Sequence, residues 1–383
     1  MPRKNLRLFN VGNWRKCPRK GLDHPIVNTV GVFLMSYRTK LFATAALALA
    51  AFAPSLASAA DLPVKAKAKP VADVPFFFVN DNLITYAVQF NATDPGVTAH
   101  TVKQVYAYTH FDVWAYGTNF ITLSLAKSDH ADPASPCGDP FAPAGVANCA
   151  GAAEFYGLIR STFGWNQIFN TKQFSLGPLA NISFEVGVDG EAENQFLAPN
   201  KKDVVAGLQW AFDLPYKGFL DIAPLYYQEW NHNAFLQAGS GLTGAFPGIY
   251  DGNTRFNATW ALEINYYMEL GFLPQAINYF AVSGRAGFYG PKGTGAPTGI
   301  VSPTNGTAME INSEPIRLTF DASKAFVGPK YSHFLDVWVA YRFWENKFGL
   351  NDQNPANGVC YTAGVNNRSC TEKSLYAGVT AKF

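Results

Sequence analysis

The chain has 383 residues, 48% of them hydrophobic and 15% aromatic, and a formal net charge of +2. Residues 1–60 supply that sign: without them 21 Lys and Arg stand against 27 Asp and Glu, so basicity is no argument for a nucleic-acid partner. Beyond this segment no run of eighteen apolar residues occurs, which excludes helical membrane spans.

Residues 1–34 hold Arg3, Lys4, Arg7, Arg15, Lys16, Arg19 and Lys20 but no apolar core, and read as an upstream extension of the gene ahead of Met35. Residues 35–60 have the three parts of a secretory signal: the basic start Met35–Lys40, the apolar run Leu41–Ala53, and the small-residue site Ala57-Ser58-Ala59. Cleavage is expected near Ala59 or Ala60. Residues 61–77 open with a Pro/Ala/Lys stretch without periodicity and read as a periplasmic linker.

From residue 78 to 383 the chain alternates with the period of an extended strand, apolar on one face and polar on the other. Segments near 80–91, 105–114, 119–128, 154–163, 181–189, 204–212, 220–230, 255–270, 279–289, 316–321, 335–343 and 374–383 carry the pattern. The longest is Arg255–Leu270, in which Phe256, Ala258, Trp260, Leu262, Ile264, Tyr266, Met268 and Leu270 share a face. About twelve such strands, an even number, predict an all-β fold, a monomeric transmembrane antiparallel β-barrel in the outer membrane. Short connections at 117–118, 215–216 and 274–275 alternate with long ones at 130–151, 190–202, 231–253, 290–312 and 347–372, as periplasmic turns alternate with external loops.

Two cysteine pairs, Cys137 with Cys149 and Cys360 with Cys370, fall in long loops and predict two local disulfides in an oxidising compartment. With no His near either pair, no metal is expected there. The last strand, Ser374–Phe383, places Leu375, Ala377, Val379, Ala381 and Phe383 on one face. An aromatic carboxyl terminus on such a strand is expected to serve as the signal read by the barrel-assembly machinery.

Under the rule of apolar outside and polar inside, the lumen face holds both charges and rings. The candidate solute contacts are Tyr106, Tyr108, His110, Asp112, Trp114, Tyr227, Glu229, Tyr279, Arg285 and Trp338. Rings stack on flat solute faces while carboxylates and guanidinium groups bond polar edges. A ladder of weak sites suits conduction. Catalytic signatures such as G-x-S-x-G, H-E-x-x-H and the P-loop are absent, and no cofactor is implied. His232, between Asn231 and Asn233, reads as a loop polar contact.

Several runs carry a resemblance: Thr109-His110-Phe111, Tyr116-Gly117-Thr118-Asn119-Phe120, Ser128-Asp129, Phe174-Ser175-Leu176-Gly177-Pro178, and Tyr226 through Asn233. They resemble the nucleoside-specific channel-forming outer-membrane proteins, the Tsx-like family, from about residue 78 to the end. The resemblance implies a narrow, monomeric twelve-stranded barrel that passes nucleosides. The family's substrate-contacting positions do not match one by one, so the candidate contacts rest on alternation alone. The rival expectation is a non-transporting surface barrel that binds a host, phage or matrix partner through disulfide-pinned loops.

Overall fold

An alternating strand satisfies its backbone hydrogen bonds only sideways, and within a bilayer an unpaired edge is costly. The computed structural model describes residues 75–135, 150–195, 197–232, 253–297 and 306–383. The upstream extension, the signal peptide and nearly all of the linker lie outside the described residues. The wall strands are β1 (Phe77–Ala92), β2 (Thr101–Trp114), β3 (Gly117–Ser128), β4 (Ala153–Gly164), β5 (Leu179–Glu193) and β6 (Asn200–Leu214). They continue as β7 (Gly218–His232), β8 (Thr259–Glu269), β9 (Phe280–Tyr289), β10 (Glu310–Asp321), β11 (Leu335–Glu345) and β12 (Thr371–Lys382). Each pairs antiparallel with its chain neighbours, and β12 pairs with β1 from Leu83↔Lys382 to Phe90↔Leu375. The sheet is thereby a closed antiparallel barrel of twelve strands without a free edge in its wall.

The terminal strand shows which face is which. Leu375 and Val379 are 62% and 40% exposed, whereas Glu372 and Ser374 are buried. Ile84, Leu125, Phe155, Phe184, Tyr226, Trp260 and Val339 continue the exposed apolar surface around the wall. A band of this kind would aggregate in water and belongs against lipid. The other face fills the interior with Gln, Glu, Lys and Arg that have little or no exposure.

The ends differ. Connections 115–116, 165–178, 215–217, 270–279 and 322–334 share an end with both the start of β1 and the end of β12. Connections 93–100, 129–152, 194–199, 233–258, 290–309 and 346–370 lie at the opposite end. The predicted long segment Arg255–Leu270 is divided. Asn253–Phe256 forms its own short strand, paired with Trp230–His232 and with Thr294–Pro297, and the wall strand begins at Thr259. Phe256 accordingly does not share the lipid face of Trp260: it is buried in a cap at the long-loop end. Unbroken alternation in the sequence cannot reveal that the backbone leaves the wall at Asn257.

That cap is an apolar cluster of Leu197, Phe256, Trp344, Phe348, Leu350, Val359, Cys360 and Cys370. Trp344, the penultimate residue of β11, is 5% exposed inside it. The disulfide Cys360–Cys370 forms as predicted. Cys137 and Cys149 lie outside the described residues.

Candidate functional site: a charged, cross-braced lumen

Inward positions on opposite walls converge on a cavity of about 120 Å³. Glu154 and Tyr156 from β4 and Glu191 from β5 line one side; Arg285 from β9, Glu314 from β10 and Arg342 from β11 line the other. In a ring of twelve strands β4 and β10 are half a turn apart, so an acidic pair faces an arginine pair across the lumen. Arg342 is partly engaged, its Nε 3.6 Å from a Glu372 oxygen. Arg285 points inward yet is exposed, and it makes no hydrogen bond or ion pair among the described residues. An exposed side chain on the inner face means that water reaches it inside the barrel.

Ion pairs cross-brace the rest of the lumen. Arg160 on β4 reaches Glu263 on β8 with two hydrogen bonds, at 3.0 Å and 2.7 Å, while also donating to Asp189 on β5 at 3.1 Å. This fork-to-carboxylate geometry is bidentate and directional. Tyr227 donates to Asp203 at 3.3 Å and to Glu229. Lys292, from the 290–309 connection, inserts between Glu229 and Glu310, donating to the latter at 2.9 Å. Lys201 on β6 lies 3.4 Å from the same Glu310 on β10, and Trp344 Nε1 donates to it at 3.0 Å. The Arg160–Glu263 and Lys201–Glu310 contacts tie strands that are not neighbours, β4 to β8 and β6 to β10.

The wall of β1, β2, β3, β11 and β12 is different. Ala87, Val105, Ala126, Trp338 and Ala340 form an apolar cluster, with Tyr376 packed against it. The Trp338 ring is covered by the Arg317 guanidinium at 3.8 Å, and its indole N–H donates to Thr380 at 3.0 Å. A Cβ on Gly378 would come within 2.5 Å of the Trp338 ring, so glycine is required for this close approach.

The expectation for β2 is therefore corrected. Tyr106 and Tyr108 face outward, 48% and 38% exposed. His110, Asp112 and Trp114 share their face, while Val105, Ala107 and Thr109 point inward. Large rings from β11 and β12 occupy this side of the interior, leaving room only for small residues on β1–β3, so here apolar means inside. On the outer surface near the terminus-bearing end, Asn82 Oδ1 accepts from Tyr108 at 2.8 Å and bonds His110 Nδ1 at 2.9 Å. His110 Nε2 bonds Asp112 at 3.1 Å, Asn119 donates to Asp112 at 2.9 Å, and Ser161 donates to Asn119 at 2.8 Å. These polar groups close on one another instead of facing the lumen. Trp114 packs edge-on against Tyr116 and Phe163 as part of a ring belt.

Of the other candidates, Tyr227 and Glu229 point inward but are fully buried in the brace around Lys292, and Trp338 is sealed under Arg317. Tyr279 precedes β9 and packs edge-on against Phe320. Arg285 alone among the ten candidates lines the cavity. Lys292 and Lys347 escaped sequence reasoning because they sit in loops, where no alternation marks an inward side chain. His232, the last residue of β7, bonds Asn253 at 3.1 Å, an exposed polar contact between paired strand ends and not in a loop.

No protein-family model matches the chain, and no curated protein matches it in sequence. Neither comparison supports the resemblance to nucleoside-specific channels. Among solved structures, an outer membrane channel from Pseudomonas putida F1 is similar at TM-score 0.41 and 10% identity, covering 83% of this chain and 100% of that one. The NanC porin follows at TM-score 0.38 and 10% identity, covering 80% and 100%. The translocator domain of the autotransporter NalP from Neisseria meningitidis has TM-score 0.34 and 9% identity, covering 79% and 88%. Likenesses this distant assign no family, solute or site.

Proposed function

We propose that the protein is an outer-membrane channel for passive diffusion of small polar solutes, whose constriction is the cavity between Glu154 and Glu191 on one wall and Arg285 and Arg342 on the other. The observation that carries this reading is Arg285, a cation on the cavity wall that is exposed inside the barrel and makes no ion pair or hydrogen bond among the described residues. A barrel whose interior served only as filling would leave no guanidinium unpaired there. The cavity of about 120 Å³ is below the roughly 300 Å³ of a drug-sized ligand site, so larger solutes pass only as Arg285 and Arg342 swing aside.

The finer reading, nucleosides or similarly small ring-bearing solutes, finds its support in Tyr156 and Tyr376, two rings in the cavity wall. Proteoliposome swelling with adenosine, an equal-sized sugar and a small zwitterion tests both levels. Faster entry of adenosine supports ring recognition, equal rates remove it, and absence of all swelling with a folded barrel removes the channel. The apolar cap at the long-loop end favours a second reading, a non-conducting surface barrel that binds a partner through its loops. Single-channel recording separates the two: an intact barrel without conductance supports the second. Export by the signal at 35–60 and assembly through Phe383 belong to the same proposal.

A further inference from the structure

Where β1, β2, β4 and β5 meet the long loops, four carboxylates surround one lysine. Asp94 follows β1, Asp132 lies in the 129–152 connection, Glu154 opens β4, and Glu193 closes β5. Lys103 Nζ is 2.7 Å from Asp94, 2.9 Å from Glu154 and 4.0 Å from Glu193. One oxygen from each of Asp94, Glu154 and Glu193 lies within 4.8 Å of the others. Asp132 is near enough to Asp94 and Glu193 for their charges to act on it.

The lysine is hydrogen-bonded to Asp94 and Glu154, and its 4.0 Å contact with Glu193 is a longer ion pair without a hydrogen bond. A second, independent observation concerns the remaining pair. Asp132 is fully buried beside Ser128 and Glu193, yet neither of its carboxylate oxygens makes a well-formed hydrogen bond among the described residues; the same holds for Glu193 Oε1, which has only the 4.0 Å ion pair with Lys103. Buried carboxylates without donors are rare because nothing replaces the water they lose. Two adjacent ones call for a positive species between them.

We propose that this cluster is a divalent-cation site, with calcium as the fitting ion, held by Asp132 and Glu193 and shared with Asp94 or Glu154 beside Lys103. The donor set is all oxygen, which selects a hard cation over zinc or copper. Irregular carboxylates from two loops and two strand ends suit the flexible coordination of calcium better than the strict octahedron of magnesium. A bound ion ties Asp94 after β1 and Asp132 after β3 to the end of β5. The site stands whether or not the barrel conducts.

The test uses the full mature barrel, refolded in detergent free of lipopolysaccharide, with the variants Asp132→Asn and Glu193→Gln. Each removes one negative charge from a buried cluster in which carboxylates outnumber the lysine, so folding is expected to survive. Equilibrium dialysis of calcium near neutral pH should show about one ion per chain in the wild type and at least a tenfold weaker affinity in each variant. Heat unfolding should move upward with calcium in the wild type alone, and both variants should melt above the chelated wild type. A wild type that takes up no calcium, its orphan carboxylates sharing a proton instead, overturns the site. So does uptake that both variants leave unchanged, since the ion would then sit elsewhere.

Discussion

Arg285 enters the lumen with no ion pair or hydrogen bond among the described residues, and although the charges of Glu314 and Glu263 act on it, its guanidinium is open to a passing ion. At contact distance in a water-filled space, one charge is worth about 1 kcal/mol, or roughly fivefold in a permeability ratio. Arg285→Gln should shift the reversal potential in a salt gradient toward cation preference by about that factor, with conductance retained. An unchanged reversal potential would place the ion path away from Arg285. His333 is a different case, in the 322–334 connection at the terminus-bearing end. It adopts φ 60°, with Nδ1 3.1 Å from Asp336 and Nε2 3.2 Å from the Tyr267 hydroxyl. Its hydrogen bond to Asp336 raises the imidazole pKa above the usual 6.5, with the charges of Asp336, Asp321 and Glu269 adding to the rise. A raised histidine pKa stabilises the fold fully below the unfolded value, and that contribution is lost as pH climbs through the folded value. The wild type should thus lose stability between about pH 6.5 and the raised folded pKa, and His333→Gln should flatten that slope in unfolding measured across the range. At this scale sequence alternation was a partial guide. It placed Tyr227, Glu229, Arg285 and Trp338 inward, where the structure has them, and Tyr106 and His110 inward as well, whereas the structure turns both outward because the volume of Trp338 and Tyr376 limits what β2 turns inside.

At the scale of elements the turns and the last strand carry the testable content. The connection between β6 and β7 is closed by Gly218 N–H donating to the Pro215 carbonyl at 3.1 Å, and both residues between them, Tyr216 and Lys217, have positive φ, 56° and 58°. A two-residue hairpin with this twist favours glycine at its second position. Lys217→Gly should relieve left-handed strain and raise stability by about 0.5–1 kcal/mol after the entropy of the added glycine is offset. The ion pair it gives up, Lys217 with Glu269, is mostly exposed and contributes little. Heat unfolding of the refolded barrel measures the change, and a loss of stability would show that the turn is not strained. The strand β12 was legible from sequence because its two faces differ cleanly: Leu375 and Val379 meet lipid while Glu372 and Ser374 are buried. Phe383 is 65% exposed beyond its end, tied only through its backbone N–H to Asn82. Removing Phe383 should reduce the folded, heat-modifiable form in outer-membrane fractions more than any loop deletion does. Equal yields would mean the assembly signal lies elsewhere. The segment around Phe256 was illegible for the opposite reason, since its alternation runs on unbroken through the point where the chain leaves the wall.

For the whole molecule the question is how a barrel so cross-braced could conduct. The braces through Arg160, Lys292 and Glu310 occupy one part of the bore, and the cavity lies toward β1–β3 and β9–β12. A path that continues from this cavity to the outside meets the cap, whose apolar side chains converge on Cys360 and Cys370. Lys347 anchors the same loop from below, donating to Glu372 at 2.9 Å and to the Thr93 carbonyl. The disulfide closes a separation of ten residues, for which loop-closure entropy gives about 3 kcal/mol of constraint on the unfolded loop. The wall strands below do not depend on it, because their pairing is complete without the loop. Replacing both cysteines by alanine should therefore leave the barrel folded while the cap opens more often. Recorded in planar bilayers, the double variant should show larger or longer openings than the wild type, and reduction of the wild type with a thiol should reproduce the change. If conductance is the same with and without the disulfide, the cap is a fixed lid beside the path, and the loop's role is to present a surface instead of to gate.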